Sequence, residues 1–451
     1  MKNQNQTVQS KVANSATLKA IIIGILILVM LIPVVMIQEL IRERELTSVS
    51  VVSEVSSKWG AQQTLAGPVI CIPYKYSLVD NNKLREVRDV AYFLPDELNI
   101  ETGMQPEIRY RSIYKVVVYQ SKIKAGGTFR HPDFEKLNIK ANVIEWENAF
   151  VIIGISDLRG IRSNVAFNWD NTLKETMSGV GDHSLVESGV TVKIPLAEEN
   201  ADDKTYTFDF SLTLNGSVGL FFVPVGKTTN VTMSSPWNTP SFDGAFLPDQ
   251  RDITDDFTAT WNVFSYNRNF PQMWTGGNYQ FHSSEFGVNL LLPVDHYQKV
   301  MRSAKYAIMF IALTFLVFFL VELLSGKRIH PFQYLLVSIG LVLFYSLLLA
   351  LSEQMHFNIA YLLSTLAIIG LITAYSHSIF KEMKQTVMMG GFLIVLYLFL
   401  FTVLQLEDLA LLFGSIGLFI ALAVVMYISR KVDWYHTQND LFTQKTDTPA
   451  Q

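Results

Sequence analysis

Apolar residues are distributed along this chain in distinct patterns, each confined to its own stretch. They run without a break from Ala20 to Ile37, and again over most of the chain from Tyr306 to Ile428. A run of roughly 20 apolar residues matches the thickness of a hydrocarbon layer, so both stretches read as membrane-spanning helix. From Arg42 to Lys58 the pattern changes: Leu46, Val49, Val52 and Val55 recur at helical spacing among charges and serines. This predicts an amphipathic stem that continues the first span, packs its stripe into a core, and ends at Trp59-Gly60.

From about residue 60 to 300 the period becomes two. Tyr206, Phe208, Phe210, Leu212 and Leu214 alternate and are followed by Asn215-Gly216, a dipeptide typical of tight hairpins. A strand from Ser217 to Val225 is therefore expected to return beside the first. Phe257, Ala259, Trp261 and Val263 alternate likewise, while Tyr114 to Ile123 and Phe150 to Ile155 read as more buried strands. Short helical turns are expected at Pro132 to Leu137 and at Asn171 to Met177. The predicted fold class is a multi-pass α-helical membrane protein with a large, mainly antiparallel, sandwich-like β domain outside the cytoplasm.

Six spans are predicted: 20–38, then Tyr306 to Leu324, Pro331 to Leu351, Phe357 to Tyr375, Val387 to Gln405 and Leu409 to Ile428. The first resembles an export signal, but it is longer than a signal core, and Ile37-Gln-Glu-Leu40 occupies the place of a small-residue cleavage site. It reads as a retained anchor. Placing the N-terminus inside puts Lys2, Lys11, Lys19, Lys327, Arg328, Lys381, Lys384, Arg430 and Lys431 on the cytoplasmic side. The short outer loops then carry only acidic Glu353, Glu407 and Asp408, with His356 nearby, as the positive-inside rule requires. The resulting organisation is a cytoplasmic segment 1–19, an anchor 20–38, a periplasmic domain 39–303, a five-span bundle 304–430 and a cytoplasmic tail 431–451. Gly370 with Ala374, Gly417 with Ala421, and Gly390-Gly391 are expected to let neighbouring helices approach closely.

Composition narrows the classes further. The chain has 451 residues, 49% hydrophobic and 17% charged, with a formal net charge of −4. No dense Lys/Arg block with interleaved aromatics appears, so nucleic acid is not an expected partner. Cys71 is the only cysteine, which excludes an intrachain disulfide and a thiolate metal cluster.

Local motifs supply little chemistry. Pro224-Val-Gly-Lys-Thr-Thr229 resembles the end of a phosphate-binding loop, but Phe221 stands where its first glycine belongs, and Val231 and Met233 predict a strand where a helix should follow. His282-Ser-Ser-Glu285 offers two metal-ligand types, and Asp182-His183-Ser184 holds the residue types of a hydrolytic triad, though adjacency does not make a triad. Both read as loop residues. Glu322 reads as an interfacial charge paired with Lys327 and Arg328. Asn358, Tyr361 and Thr365 form a mild polar stripe that His377 ends. No catalytic, cofactor-binding or metal-binding residues are expected, and no cofactor.

Longer runs resemble a known family. Arg328-Ile-His-Pro331, Gln333-Tyr-Leu-Leu-Val337, Leu343-Phe-Tyr345, Leu351-Ser-Glu353 and Asp433-Trp-Tyr435 in the membrane block are similar to the CreD family of bacterial inner-membrane proteins. So are Trp59-Gly60, Gly67-Pro68, Ile155-Ser-Asp157, Arg159-Gly160, Pro224-Val-Gly-Lys-Thr228 and Gly244-Ala-Phe-Leu-Pro248 in the outer domain. Ser338 and Gln354 stand where that pattern has a glycine and a histidine. The resemblance implies expression under a two-component system of the same name and a part in cell envelope integrity. It assigns no role to the motif residues Arg328, His330, Pro331, Gln333, Tyr334, Tyr345 and Glu353.

The expectation is thus a non-enzymatic, multi-pass protein of the bacterial inner membrane, with both termini cytoplasmic. Its partners are the lipid bilayer and unidentified envelope proteins or cell-wall components. Two rivals remain: a transporter or lipid-handling bundle, which needs a polar cavity between the second and fourth spans, and a membrane-anchored periplasmic hydrolase, which needs converging Asp, His and Ser.

Overall fold

The structure, a computed structural model, describes residues 16–430 apart from 81–82, 138–140, 142, 182–184, 198–203, 278, 291–295, 326–328 and 407–408. The chain divides into two compact units, one formed by Met1–Thr47 with Val294–Gln451 and the other by Ser48–Pro293.

The first unit is helical. A 44-residue helix α1, Ala16–Trp59, begins in it and carries Pro33 without ending there. The others are α2 (His296–Lys305), α3 (Ala307–Ser325), α4 (Pro331–Ser352), α5 (Phe357–Phe380), α6 (Met383–Gln405) and α7 (Ala410–Ser429). Helices α1, α4, α5 and α6 are long and apolar enough to cross a bilayer, and α2 with α3, bent by 43°, adds a fifth span when taken as one. In α7 the apolar stretch Leu412–Tyr427 is shorter.

Close packing uses only some of the small residues. A Cβ on Gly417 would lie 2.2 Å from the Phe399 ring, and one on Gly390 would lie 3.1 Å from the Thr373 hydroxyl. Gly370 and Gly391 have no neighbour within 4 Å and permit no close approach. The stem stripe also departs from expectation, since Leu46 and Val49 are each 61% exposed instead of packed in a core.

The second unit is built on two sheets. Among the described residues the larger has ten strands, with Gln63–Asp80 at its centre, and the other has eight, with the hairpin Glu97–Arg111 and Tyr114–Arg130 at its centre. Both sheets are mixed. Gln63–Asp80 runs parallel to Gly219–Phe222, and Glu97–Arg111 runs parallel to Thr228–Ser235. Inward residues of both sheets, Ile70 and Ile72 from one and Leu98 and Ile100 from the other, belong to one buried apolar cluster. The predicted alternation is realised in Phe257–Phe264 and in the first ten residues of Thr205–Ser217, from Thr205 to Leu214, after which Asn215, Gly216 and Ser217 are all buried.

Asn215-Gly216 is not a turn. The strand Thr205–Ser217 passes straight through it, pairing Asn215 with Gln120 and Gly216 with Tyr119. The chain turns instead at Val218 (φ 68°) and enters the other sheet as Gly219–Phe222. Gly216 is required for packing, because a Cβ there would lie 2.3 Å from the Tyr119 hydroxyl. A second correction concerns Asn171 to Met177, which forms the short strands Thr172–Lys174 and Thr176–Ser178 and no helical turn. A β-branched residue in the left-handed region is strained by roughly 1–2 kcal/mol. Val218→Gly is therefore expected to leave thermal stability unchanged or raised, against the usual loss for glycine near a strand; a Tm lowered by several degrees would contradict this.

Candidate functional site

Of the motif residues of the membrane block, His330, Pro331, Gln333, Tyr334, Tyr345 and Glu353 each have a definite place, and Arg328 lies outside the described residues. The His330 ring nitrogen accepts from the Phe332 amide at 3.2 Å, the Gln333 side chain accepts from the His330 amide at 3.0 Å, and Pro331 occupies the first turn of α4, where no amide donor is needed. Together they cap the helix. Tyr334, one residue on, donates to the Glu322 carboxylate at 3.2 Å, which also accepts from the Ile329 amide at 3.0 Å. Glu322 is 6% exposed and pairs with Lys19 of α1. A described partner of Glu322 is thus on the first span; Lys327 and Arg328, with which the sequence predicts a pairing, lie outside the described residues.

Tyr345 is buried in an aromatic core with Phe344, and Phe344 also contacts Tyr361 and Tyr397 edge-on. The Tyr361 hydroxyl donates to the Tyr397 carbonyl at 2.6 Å. The side chain of Ser338, a buried residue, folds its hydroxyl back onto the Leu335 carbonyl at 2.7 Å. At the far end of α4, Glu353 accepts from the Tyr297 hydroxyl at 3.1 Å.

These contacts sort into two layers. One holds Lys19, Glu322, Tyr334 and the pair His377–Thr386. The other holds Gln38 on the Ala304 carbonyl, Tyr297 on Glu353, and Gln405 on Asn358. Tyr297 lies seven residues before Ala304, in the helix before the 43° bend, while Lys19 and Gln38, Ala304 and Glu322, Tyr334 and Glu353, Asn358 and His377, and Thr386 and Gln405 are each 18 or 19 residues apart. At 1.5 Å per residue that is about 27–29 Å, close to a bilayer's hydrocarbon thickness. Between the layers the described buried side chains are apolar, aromatic or hydroxyl-bearing. A cavity of about 150 Å³ lies among α3, α6 and α7, lined by residues such as Met309, Phe399 and Leu418, and not between the second and fourth spans.

In the β-rich unit the family-like runs meet at the end of α1. Arg109 lies over the Trp59 ring at 3.7 Å, and the Trp59 indole donates to the Tyr119 carbonyl at 3.3 Å. Gly60 (φ 146°) and Gly160 both face the Asn215 carbonyl, where a Cβ would lie 2.6 Å and 2.2 Å away. Gln63, fully buried, donates to the Asp157 and Asn215 carbonyls at 3.0 Å each. Asp157 accepts from the Ala61 amide at 2.9 Å and bidentately from Arg159 at 2.9 and 3.0 Å. Burial alone would raise the Asp157 pKa, but the hydrogen bonds from Arg159 and from the Ala61 amide outweigh it and hold the carboxyl below its ordinary value. Burial pushes the neighbouring Tyr119 hydroxyl well up.

The folded-state pKa of Asp157 is depressed, so its contribution to stability is present above the ordinary carboxylate range and is lost as pH falls through the folded value. Wild-type protein is expected to lose more stability than Asp157→Asn on acidification below about pH 4; parallel acid titrations followed by tryptophan fluorescence would contradict this if they coincided.

The His282 and Glu285 pair is real but incomplete as chemistry. The ring Nδ1 meets the carboxylate at 2.7 Å, and the carboxylate also accepts from the Thr64 hydroxyl at 3.4 Å. Among the described residues no group of three or more His, Cys, Asp or Glu converges to hold a metal. Asp182-His183-Ser184 lies outside the described residues. Pro224 to Thr229 leads into the strand Thr228–Ser235, as Val231 and Met233 indicate, so no helix follows a phosphate loop there. Sequence reasoning missed Arg268. It is buried, donates to the Phe270 and Pro271 carbonyls at 2.9 and 3.1 Å, and has a pKa lowered to about 10 by burial. A lone arginine in a loop carries no periodic signal that would reveal this.

The helices and the β-rich unit define a multi-pass membrane protein with a large β-rich module. The chain belongs to the CreD family: residues 15–435 match the family described as inner membrane protein CreD. It is 33% identical over 418 residues to inner membrane protein CreD of Escherichia coli (strain K12), covering 91% of each chain. That family and the apolar helices make it an inner-membrane, multi-pass protein. Among solved structures, an M1 zinc metallopeptidase from Deinococcus radiodurans matches at 9% identity and a TM-score of 0.21, covering 48% of this chain and 53% of that one. A two-domain M1 zinc metallopeptidase bound to L-arginine matches with the same identity, coverage and TM-score. Neither likeness carries an argument about fold or chemistry.

Proposed function

We propose that the chain crosses the inner membrane six times, with both termini in the cytoplasm, and holds residues 39–303 in the periplasm as a two-sheet sandwich that maintains the envelope by binding and not by catalysis. The observation that carries the topology is the pair of polar layers. Lys19 and Glu322 share one layer, which fits the start of the first span and the end of the second lying on the same side of the bilayer. Gln38, Ala304, Glu353, Asn358 and Gln405 share the other, which fits the outer ends of five spans. The basic residues of the short loops follow the same division.

Binding is favoured over reaction because three buried groups of the outer module with polar side-chain atoms, Asp157, Gln63 and Tyr119, are engaged in holding backbone. Envelope maintenance is the part that the family resemblance implies. Its partners are proposed to be the bilayer and envelope proteins or cell-wall components. A strain lacking the gene is expected to be more sensitive to detergent and to cell-wall stress, with sensitivity restored by the full-length gene. Growth equal to wild type under both stresses would contradict the reading.

A further inference from the structure

Helix α2 carries Lys299, Arg302 and Lys305 within two turns and no acidic residue. They lie opposite its buried face, formed by Tyr297, Val300, Ser303 and Ala304, so α2 is a basic amphipathic helix. Among the described residues none of the three cations joins a salt bridge. The Ala304 carbonyl places this helix in the polar layer of Gln38, where the short loops carry Glu353, Glu407 and Asp408 and no lysine or arginine. The Nη2 of Arg302 donates to the Val403 and Leu406 carbonyls at 3.4 and 3.2 Å, which holds the guanidinium at the end of α6. Its Nε and Nη1 make no hydrogen bond among the described residues. Val403 is also a wall of the cavity of about 150 Å³ among α3, α6 and α7, and so is Tyr306, one turn after Arg302. That cavity is open at the side: Leu418 is 49% exposed, Ser415 is exposed, and Met309 and Phe399 are half-buried. From Gln405 to Phe399 its walls reach about 9 Å below the polar layer, within the hydrocarbon.

We propose that this corner of the bundle binds one anionic phospholipid of the surrounding bilayer, with its phosphate on Arg302 and Lys305 and one acyl chain in the cavity beside Met309, Phe399 and Leu418. Charge complementarity selects the headgroup, because guanidinium and ammonium groups form their strongest hydrogen bonds with anionic oxygen. The open apolar wall selects the chain. Capping of α6 accounts for one nitrogen of Arg302, and for neither Lys305 nor the opening beneath it. The inference rests on the two polar layers as the limits of the hydrocarbon, and it needs neither the proposed sidedness nor the envelope role.

Native mass spectrometry of the full-length protein, delipidated in dodecyl maltoside and given equal amounts of dioleoyl phosphatidylglycerol and dioleoyl phosphatidylcholine, tests it. The two lipids share chains and phosphate and differ in net charge. One phosphatidylglycerol is expected to be retained roughly tenfold over phosphatidylcholine, since each cation at headgroup level contributes about fivefold. Arg302→Gln with Lys305→Gln is expected to reduce that preference to about twofold or less, and Lys305→Gln alone, at an exposed position, to reduce it severalfold. Lys384→Gln, exposed at the opposite end of α6, is expected to leave it unchanged. Gly414→Leu fills the cavity, where a Cβ would meet only the Tyr306 hydroxyl, at 3.9 Å, and is expected to lower retention of phosphatidylglycerol severalfold. Excess inorganic phosphate is not expected to displace the lipid, because it lacks the chain. Equal retention of both lipids, the result if Glu407 and Asp408 held the cations, would overturn the assignment. So would a preference that survives removal of both charges or falls equally in Lys384→Gln, full retention in Gly414→Leu, or displacement by phosphate. If the preference is absent while cysteine labelling places the spans as proposed, this inference falls and the topology stands.

Discussion

Glu322→Ala is expected to destabilise the helical unit by about 3–5 kcal/mol, because removing one partner of a buried ion pair leaves the other charge uncompensated. Glu322 is 6% exposed and Lys19 is 23% exposed, so water compensates little. The change also removes the acceptor for the Tyr334 hydroxyl and the Ile329 amide. Thermal unfolding in detergent should show a large loss for Glu322→Ala and a smaller one for the double substitution Lys19→Met with Glu322→Met, which removes both charges. If the single and double variants behaved alike, the pair would not be what joins the first span to the bundle.

Gly160→Ala should have an effect of similar size in the β-rich unit. Its Cβ would lie 2.2 Å from the Asn215 carbonyl oxygen and 2.4 Å from the Gln63 amide nitrogen, both on buried residues. Neither can withdraw without breaking the contacts around Asp157, so a loss of about 3 kcal/mol, at the upper end of ordinary overpacking, is expected. Gly370→Ala is the control: it has no neighbour within 4 Å and sits in the interior of α5, where alanine is the better helix former. Limited proteolysis that cut Gly160→Ala no faster than wild type would contradict the packing described around Trp59 and Gly60.

What the sequence made legible follows from how each signal arises. Apolar runs and the alternation in Thr205–Ser217 and Phe257–Phe264 are periodic, so they identify spans and strands without knowledge of their partners. Asn215-Gly216 misled because turn chemistry is a local preference, and here pairing with Gln120 and Tyr119 outweighed it. The parallel pairings are set by which distant strand arrives as a neighbour, and alternation does not encode that. The same limit applies to the sites. Glu322 was visible as an interfacial charge, but its partner Lys19 lies 303 positions away in the chain. The cap formed by His330, Pro331 and Gln333 was marked by its residue types, whereas the contacts around Asp157 draw on positions from Ala61 to Asn215 that no short motif connects.

Single cysteines introduced in a Cys71→Ser background and treated with a membrane-impermeant maleimide test the central claim most directly, since they report sidedness residue by residue. Tyr266, 93% exposed in the β-rich unit, and Gln354, after α4, are predicted to be labelled from the periplasmic face once the outer membrane is permeabilised. Lys384, exposed at the start of α6, is predicted to react only after the inner membrane is opened. Labelling of the Lys384 position in sealed cells, or protection of the Tyr266 and Gln354 positions there, would contradict the account.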